Sequence, residues 1–99
     1  MALKKIINLH AEWCAPCKAF ASTFEHVSNL DNFKHLEFLR FDIEDGETGS
    51  NYVEKYHIRS VPATLMLDEN DEQLMKIHGS IVESDFINLI KTIEQEKAN

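Results

Sequence analysis

Residues 13–18 read WCAPCK, and this stretch holds Cys14 and Cys17, the only two cysteines of the chain. Two thiols separated by two residues, one of them a proline, fit three kinds of structure. They are a metal clip, a pair of ordinary core thiols, and a disulfide that forms and breaks as part of a reaction. The residues on either side of the stretch help to decide among the three.

The segment before the cysteines is apolar, and the segment after them has helical spacing. Residues Lys4–His10 are predicted to form a short strand that ends at the motif. From Ala15 to about Leu30 the apolar side chains recur at the interval of a helix, and they are Phe20, Phe24, Val27 and Leu30. The motif therefore lies at a strand-to-helix junction.

At this junction Cys14 is predicted to be the N-cap residue of the helix and Cys17 its third residue. The backbone N–H of Cys17 has no partner within the helix and can reach back to the Cys14 sulfur. The helix dipole adds partial positive charge at the same place, so both effects lower the pKa of Cys14. Pro16 is tolerated in the first turn, and Trp13 is expected to pack beside the motif. We expect Cys14 to be the exposed nucleophile and Cys17 to lie beneath it.

A zinc site normally needs four ligands, with a second pair of Cys or His residues at matched spacing. The histidines of this chain are scattered and form no such pair; they are His10, His26, His35, His57 and His78. We therefore expect no metal site and no cofactor. Inert core thiols would not need the proline or the position between a strand and a helix, so this context favours a redox pair.

The rest of the chain alternates between strands and helices. The predicted elements are a strand within 35–43, a loop over 45–51, a short helix at Tyr52–Tyr56, strands at Ala63–Leu67 and Gln73–His78 joined by a turn over 68–72, and a last helix with the stripe Phe86, Leu89, Ile90 and Ile93. We expect an α/β fold of order βαβαββα, a mixed four-stranded sheet with helices on both faces. Residues 1–99 have the length of one ordinary domain, and we expect a single domain.

The composition excludes some classes of partner. The formal net charge is −7, which argues against nucleic acid or an anionic membrane, because both require a basic face. The opening residues MALKKIINLHAEW lack the apolar core and cleavage site of a signal peptide. No apolar run approaches the roughly 20 residues of a membrane span. We therefore expect a cytoplasmic protein, in a compartment where structural disulfides are rare.

Three segments of the chain carry a resemblance to a known family. They are AEWCAPCK at residues 11–18, YHIRSVPATLML at residues 56–67, and Gly79 after the last strand. Together they resemble the thioredoxin family, over about Lys4 to the C-terminus. The resemblance implies a thioredoxin-like fold and a cis peptide bond before Pro62. It also implies contact with an extended substrate through the Val61 backbone and an apolar rim of Trp13, Val61 and Pro62. The full set of substrate-binding residues that we expect is Trp13, Ala15, Pro16, Val61, Pro62 and Gly79.

The chain departs from the family pattern near the motif. Ala15 stands where glycine is usual. Asn8 stands where the family has a buried aspartate that moves protons to and from the second cysteine, and an amide can only orient a water or the Cys17 thiol. We expect slower resolution or a shifted redox preference. The residues that we expect to modulate the site are Asn8, His10, Lys18 and Arg40.

Two of these residues, His10 and Arg40, replace residues that are usual in the family. The sequence leaves two possible roles for His10 and suggests one for Arg40. His10, at a position where the family usually has tryptophan, is either a base or cation for the Cys14 thiolate or a partly exposed histidine at the end of a strand. Arg40, where the family often has lysine, is expected to approach the motif from below and offset the missing charge of the aspartate.

The strand and helix that open most thioredoxins have no counterpart before Lys4. In the family that strand covers the edge formed here by HLEFLRFDI, residues 35–43. We expect a monomer, and the uncovered edge raises the alternative of a weak dimer through this strand.

Two classes of function remain. The resemblance implies a thiol–disulfide oxidoreductase that reduces protein disulfides through Cys14 and Cys17 and is recycled by a thioredoxin reductase or a small-thiol reductant. The same site running in reverse would oxidise or isomerise its substrates. The alternative is a binding or accessory module in which the thiols are incidental.

Overall fold

The computed structural model describes residues 2–96, so Met1 and residues 97–99 of the expected single domain lie outside the described range. The elements are β1 (Leu3–His10), α1 (Ala15–Ser28), a 3₁₀ turn (Asp31–Phe33), β2 (Glu37–Asp42), α2 (Thr48–Lys55), β3 (Ala63–Asp68), β4 (Gln73–His78) and α3 (Glu83–Glu96). The expected order of strands and helices, βαβαββα, is confirmed. No helix within residues 2–96 is long and apolar enough to cross a membrane.

The four strands form one mixed sheet in the order β2-β1-β3-β4. Strand β1 runs parallel to β2 and antiparallel to β3, and β3 and β4 form the expected hairpin. Within the described residues β2 is an edge strand, as expected. Its exposed side chains are charged, because Glu37 and Arg40 are exposed and the rest of β2 is half-buried.

Helices cover both faces of the sheet, because apolar residues of the central strands alternate between two cores. On one face Ile6 and Met66 pack with Phe86 of α3 and with the phenylalanines of α1. On the other face Ile7 and Leu65 pack with Tyr56, which follows α2. A central strand that is buried on both faces reads as a continuous apolar run, and every residue of β3 is buried.

Helix α1 ends at Ser28, two residues before the predicted end at about Leu30. The Oγ of Ser28 and the Nδ2 of Asn29 both donate to the backbone carbonyl of Glu25, at 2.6 and 3.0 Å. Such short polar side chains compete for the backbone groups that would continue the helix. Leu30 instead precedes the 3₁₀ turn, which the sequence did not predict.

Helix α2 begins at Thr48, four residues earlier than the predicted start at Tyr52. The carboxylate of Asp45 accepts hydrogen bonds from the backbone N–H groups of Glu47, Gly49 and Ser50, at 2.8 to 3.1 Å. These bonds hold the pKa of Asp45 below its usual value. They also satisfy N–H groups at the start of the helix, so a segment with the composition of a loop becomes helical.

Candidate functional site

The two cysteines lie at the start of α1, in the predicted capping arrangement. Cys14 is the N-cap residue, and the backbone N–H of Cys17 donates to the Cys14 Sγ at 3.1 Å. Pro16 lies in the first turn. The two sulfurs are joined in a disulfide, and the two Cα atoms are 5.2 Å apart. The arrangement points a backbone donor and the positive end of the helix at one sulfur, which favours a thiolate there after reduction.

Cys14 is more buried than the sequence suggested, whereas Cys17 is buried as predicted. The expected order holds, because Cys14 is 5% exposed and Cys17 is 1% exposed. Cys14 was predicted to be exposed, but it is buried in the structure. Ala11 forms a small cluster with the two cysteines, and the half-buried side chains of Ile43 and Val61 pack against it.

The segment opposite the cysteines has the backbone geometry that the resemblance implied. The Val61–Pro62 peptide bond is cis, and the Val61 carbonyl oxygen lies 3.6 Å from the Cys14 Sγ. The N–H of Gly79 donates to the Pro62 carbonyl at 2.7 Å. Gly79 has φ +104°, a conformation that glycine adopts without strain. Of the predicted apolar rim of Trp13, Val61 and Pro62, Trp13 is exposed, Val61 is half-buried and Pro62 is buried.

Trp13 stands at the side of the motif and is 67% exposed. Its indole Nε1–H donates to the Oε1 of Glu44 at 3.1 Å. Beside it lies a groove of about 110 Å³, here called the Trp13 groove, whose lining includes Trp13, Ile43, Val53, Ile58 and Val61. Ala15 and Pro16 are exposed at the start of the helix. Trp13 and Val61, two of the predicted substrate-binding residues, therefore line the same groove. Gly79 is connected to this region by its hydrogen bond to the Pro62 carbonyl.

Beneath the motif, Asn8 is fully buried in β1. Its side-chain oxygen accepts a hydrogen bond from the Nε–H of Arg40 at 3.0 Å, and its Nδ2 donates to the carbonyl of Ala63 at 3.3 Å. Arg40 also lines a recess together with Cys17, so it lies near the motif. The amide of Asn8 is held by the sheet on both sides, and it has no proton that it can give up near neutral pH.

A second recess lies on the Cys17 side of the motif. It is a cavity of about 270 Å³, here called the His10 cavity, whose lining includes His10, Ala11, Glu12, Cys17, Lys18 and Arg40. Burial lowers the pKa of His10, and the nearby Arg40 guanidinium lowers it further. Three of the four predicted modulating residues thus line one cavity, and the fourth, Asn8, is hydrogen-bonded to Arg40.

The family model described as Thioredoxin matches residues 2–92 of the chain. The chain belongs to the thioredoxin family. The matched range includes the cysteine pair and the Val61–Pro62 bond.

Two curated thioredoxins illustrate the similarity in sequence. Thioredoxin C-2 of Corynebacterium nephridii is 35% identical over 66 residues, which are 67% of this chain and 57% of the relative. Thioredoxin Asp f 29 of Aspergillus fumigatus is 27% identical over 75 residues, which are 76% of this chain and 64% of the relative. The chain thus spans about three fifths of the length of these two relatives.

Solved structures support the fold independently of the sequence. The germline-specific thioredoxin Deadhead of Drosophila melanogaster superposes with a TM-score of 0.77 at 24% identity, over 93% of this chain and 81% of the other. At this identity the likeness concerns the fold alone. It confirms that the expected α/β architecture is thioredoxin-like.

Two residues near the site were not predicted from the sequence. Thr64 is fully buried and pairs across the strands with Asn8, and its hydroxyl has no hydrogen-bond partner among residues 2–96. A polar residue within the apolar stretch ATLML was the signal that could have identified it. Glu44, the acceptor for the Trp13 indole, lies in the loop after β2 and carries no comparable signal.

The charged residues around the cysteines do not assemble a metal site. Within residues 2–96 no group of three or more His, Cys, Asp and Glu side chains lies close enough together to hold a metal ion.

Proposed function

We propose that the chain is a thiol–disulfide oxidoreductase that reduces disulfide bonds in proteins through Cys14 and Cys17. The observation that carries the proposal is the hydrogen bond from the Cys17 N–H to the Cys14 sulfur at the start of α1. This donor and the helix dipole stabilise negative charge on one sulfur, while the partner sulfur lies within bonding distance. Family membership and the disulfide between the two cysteines support the same activity.

The reaction proceeds by two exchanges of sulfur bonds. In the reduced protein the Cys14 thiolate attacks one sulfur of a client disulfide, and the other client sulfur leaves as a thiolate. Cys17 then loses its proton and attacks the Cys14 sulfur of the mixed disulfide, which releases the second client thiol. The product is the Cys14–Cys17 disulfide, and the client has gained two electrons and two protons. The roles of Cys14 as nucleophile and Cys17 as resolving thiol are part of the proposal.

A client strand binds beside the motif. The cis peptide bond before Pro62 leaves the Val61 carbonyl facing the Cys14 sulfur, where an extended chain can pair with the backbone. The Trp13 groove offers an apolar recess for a client side chain. Ala15, Pro16 and Gly79 complete the surface; the first two are exposed at the start of α1 and Gly79 supports the Pro62 backbone.

Regeneration requires an external reductant, and we propose a thioredoxin reductase or a low-molecular-weight thiol. The equilibrium potential of the Cys14–Cys17 couple determines whether the site reduces clients or runs in reverse as an oxidant or isomerase.

We further propose that residues 1–99 form one domain that acts in the cytoplasm as a monomer. The charged side chains of Glu37 and Arg40 on the edge strand support a monomer, since such charges oppose pairing between edges.

An insulin-reduction assay with dithiothreitol tests the activity. The wild type is expected to accelerate precipitation of the insulin B chain, and Cys14→Ser is expected to abolish the acceleration. The Cys17→Ser variant is the matched control, because it keeps the nucleophile and is expected to accumulate a mixed disulfide that is visible by mass. Equal rates for wild type and Cys14→Ser would contradict the proposal and favour the alternative of an accessory module with incidental thiols.

A further inference from the structure

The Cys17 thiol has to lose its proton when it attacks the mixed disulfide. The family has a buried carboxylate that can accept this proton, and this chain has an amide at that position. Asn8 occupies that buried position. The side-chain oxygen of Asn8 accepts a hydrogen bond from Arg40, and its side-chain nitrogen donates one to the Ala63 carbonyl. An amide does not titrate near neutral pH, and a guanidinium keeps its protons. Another group near Cys17 therefore has to accept the proton.

The His10 cavity provides a route from Cys17 to a group that does titrate. Both Cys17 and His10 line it, and its volume of about 270 Å³ exceeds the roughly 30 Å³ that one water occupies in the liquid. Asn8 and His10 are two residues apart on β1, so strand alternation places both side chains on the α1 face of the sheet. Water in the cavity can therefore connect the Cys17 thiol with the imidazole.

Four charged groups surround His10. Arg40 and Asp42 face it from β2, Glu12 lies in the loop after β1, and Lys18 lies on α1 at the same cavity. Glu12 and Lys18 are exposed to bulk solvent. His10 is half-buried, and imidazole is the side chain whose protonation ordinarily changes near neutral pH.

The electrostatic surroundings keep the ring neutral, which a proton acceptor requires. Burial lowers the pKa of His10 and the Arg40 guanidinium adds to this effect, while the carboxylates of Asp42 and Glu12 oppose it. A histidine whose pKa lies below its ordinary value of 6.5 is unprotonated at pH 7. The neighbouring guanidinium also favours the rapid loss of a proton that the ring has accepted.

We propose that His10 accepts, through water in the His10 cavity, the proton that leaves the Cys17 thiol during resolution of the mixed disulfide. This inference rests on the proposed function and deepens it. In the step, the S–H bond of Cys17 breaks and its proton passes by way of water to the imidazole. The electron pair of Cys17 forms the bond to the Cys14 sulfur, the bond between Cys14 and the client breaks, and the client leaves as a thiolate. The imidazolium then returns its proton to the solvent or to that thiolate.

This assignment differs from the role for His10 considered from the sequence, which concerned the Cys14 thiolate. Cys14 already has a donor in the Cys17 N–H, and Cys17 rather than Cys14 lines the cavity with His10. His10 therefore acts on the second step of the reaction. The first step, attack by Cys14, is expected to be insensitive to it.

Rapid mixing of the reduced protein with one equivalent of dithionitrobenzoate separates the two steps. Attack by Cys14 releases the first coloured thiolate, and resolution by Cys17 releases the second. In His10→Gln the first phase is expected to keep its wild-type rate. The second phase is expected to slow by about 100-fold or more at pH 7, which is the lower end of what general bases contribute. The difference is expected to vanish at alkaline pH, where Cys17 loses its proton unaided. His26→Gln, a substitution of an exposed histidine on the same side of the fold, is the control and is expected to match the wild type.

A second variant distinguishes a chemical role from a structural one. In His10→Ala, added imidazole is expected to restore the second phase without changing the first. The proposal is overturned if His10→Gln resolves at the wild-type rate, if the slowing is equal at every pH, or if imidazole has no effect on His10→Ala. A missing first phase in the wild type would contradict the proposed function itself, and the Cys17→Ser variant, which releases only the first thiolate, identifies that phase.

Discussion

The Nε–H of Arg40 donates a 3.0 Å hydrogen bond to the side-chain oxygen of Asn8, which joins a charged residue of the edge strand to a buried amide under the cysteines. The pair carries a net positive charge. A carboxylate at the position of Asn8 would have neutralised the guanidinium. The guanidinium therefore adds to burial, which is the larger effect, in lowering the pKa of His10, and the carboxylates of Asp42 and Glu12 oppose both.

Substitution of Arg40 is expected to change the titration of His10. Because the guanidinium lowers the pKa of His10, Arg40→Met is expected to raise that pKa toward 6.5. Two-dimensional NMR of the imidazole signals as a function of pH measures the change, with His26 as an internal reference. An unchanged His10 titration would show that the two side chains do not interact.

Stability is expected to depend on pH through His10. Since the pKa of His10 is lowered in the folded protein, the unfolded chain binds more protons between the folded pKa and 6.5, and stability rises with pH in that interval. The contribution is complete above pH 6.5 and is lost as the pH falls through the folded pKa. Urea denaturation of wild type and His10→Gln from about pH 5 to pH 8 is expected to give a difference in unfolding free energy that shrinks with acidification. Parallel curves would contradict this expectation.

A carboxylate at position 8 is expected to substitute for the histidine. Asn8→Asp introduces a buried proton acceptor beside Arg40, so the double variant Asn8→Asp/His10→Gln is expected to recover most of the resolution rate that His10→Gln loses. The second phase of the dithionitrobenzoate reaction at pH 7 measures the recovery. If the double variant resolves no faster than His10→Gln, a carboxylate at position 8 does not act as a proton acceptor for Cys17.

Thr64→Val is expected to stabilise the oxidised protein. The Thr64 hydroxyl is buried without a partner among the described residues, and burial of an unpaired polar group costs about 1–3 kcal/mol. Valine keeps the shape and removes this cost, so a gain of about 1 kcal/mol is expected, or roughly 4–8 °C in Tm. Thr64→Ala is the control, because the loss of the methyl group leaves a cavity that offsets the gain. A lower Tm for Thr64→Val would indicate a hydrogen bond to the hydroxyl.

Gly49→Ala is expected to destabilise the protein, although alanine is the better helix former by about 1 kcal/mol. A Cβ at Gly49 would overlap the backbone carbonyl of Asp42, where α2 approaches the end of β2. Relief of such an overlap requires a backbone shift, and a loss of about 1–3 kcal/mol is expected from urea denaturation. Asn51→Ala, at an exposed position of the same helix, is expected to lie within about 0.5 kcal/mol of wild type. A gain in stability for Gly49→Ala would mean that α2 can move away from the strand.

The capping geometry of the cysteines was predictable because it is local. The positions of Cys14, Pro16 and Cys17 relative to the start of one helix determine which N–H reaches which sulfur. The order of strands and helices followed equally from periodicity along the chain. These features depend on residues within a few positions of one another, and sequence patterns describe such neighbours well.

The His10 cavity was not predictable, because it depends on pairing between distant strands. Asn8 lies opposite Arg40 on β2 and opposite Thr64 on β3, and both pairings depend on the register between strands that are far apart in the sequence. The burial of Cys14 likewise comes from Ile43 and Val61, which belong to other parts of the fold. The start of α2 was missed for a different, local reason, because Gly and Asp in this segment indicated a loop while the Asp45 carboxylate caps the first turn of the helix.

The Trp13 groove and the His10 cavity have no lining residue in common. Occupation of one by a small molecule therefore leaves the other accessible. A compound seated against Trp13 and Val61 would compete with clients, whereas one seated against His10 and Lys18 would permit capture of a client and delay its release. Two separate recesses thus lie beside a single pair of sulfurs.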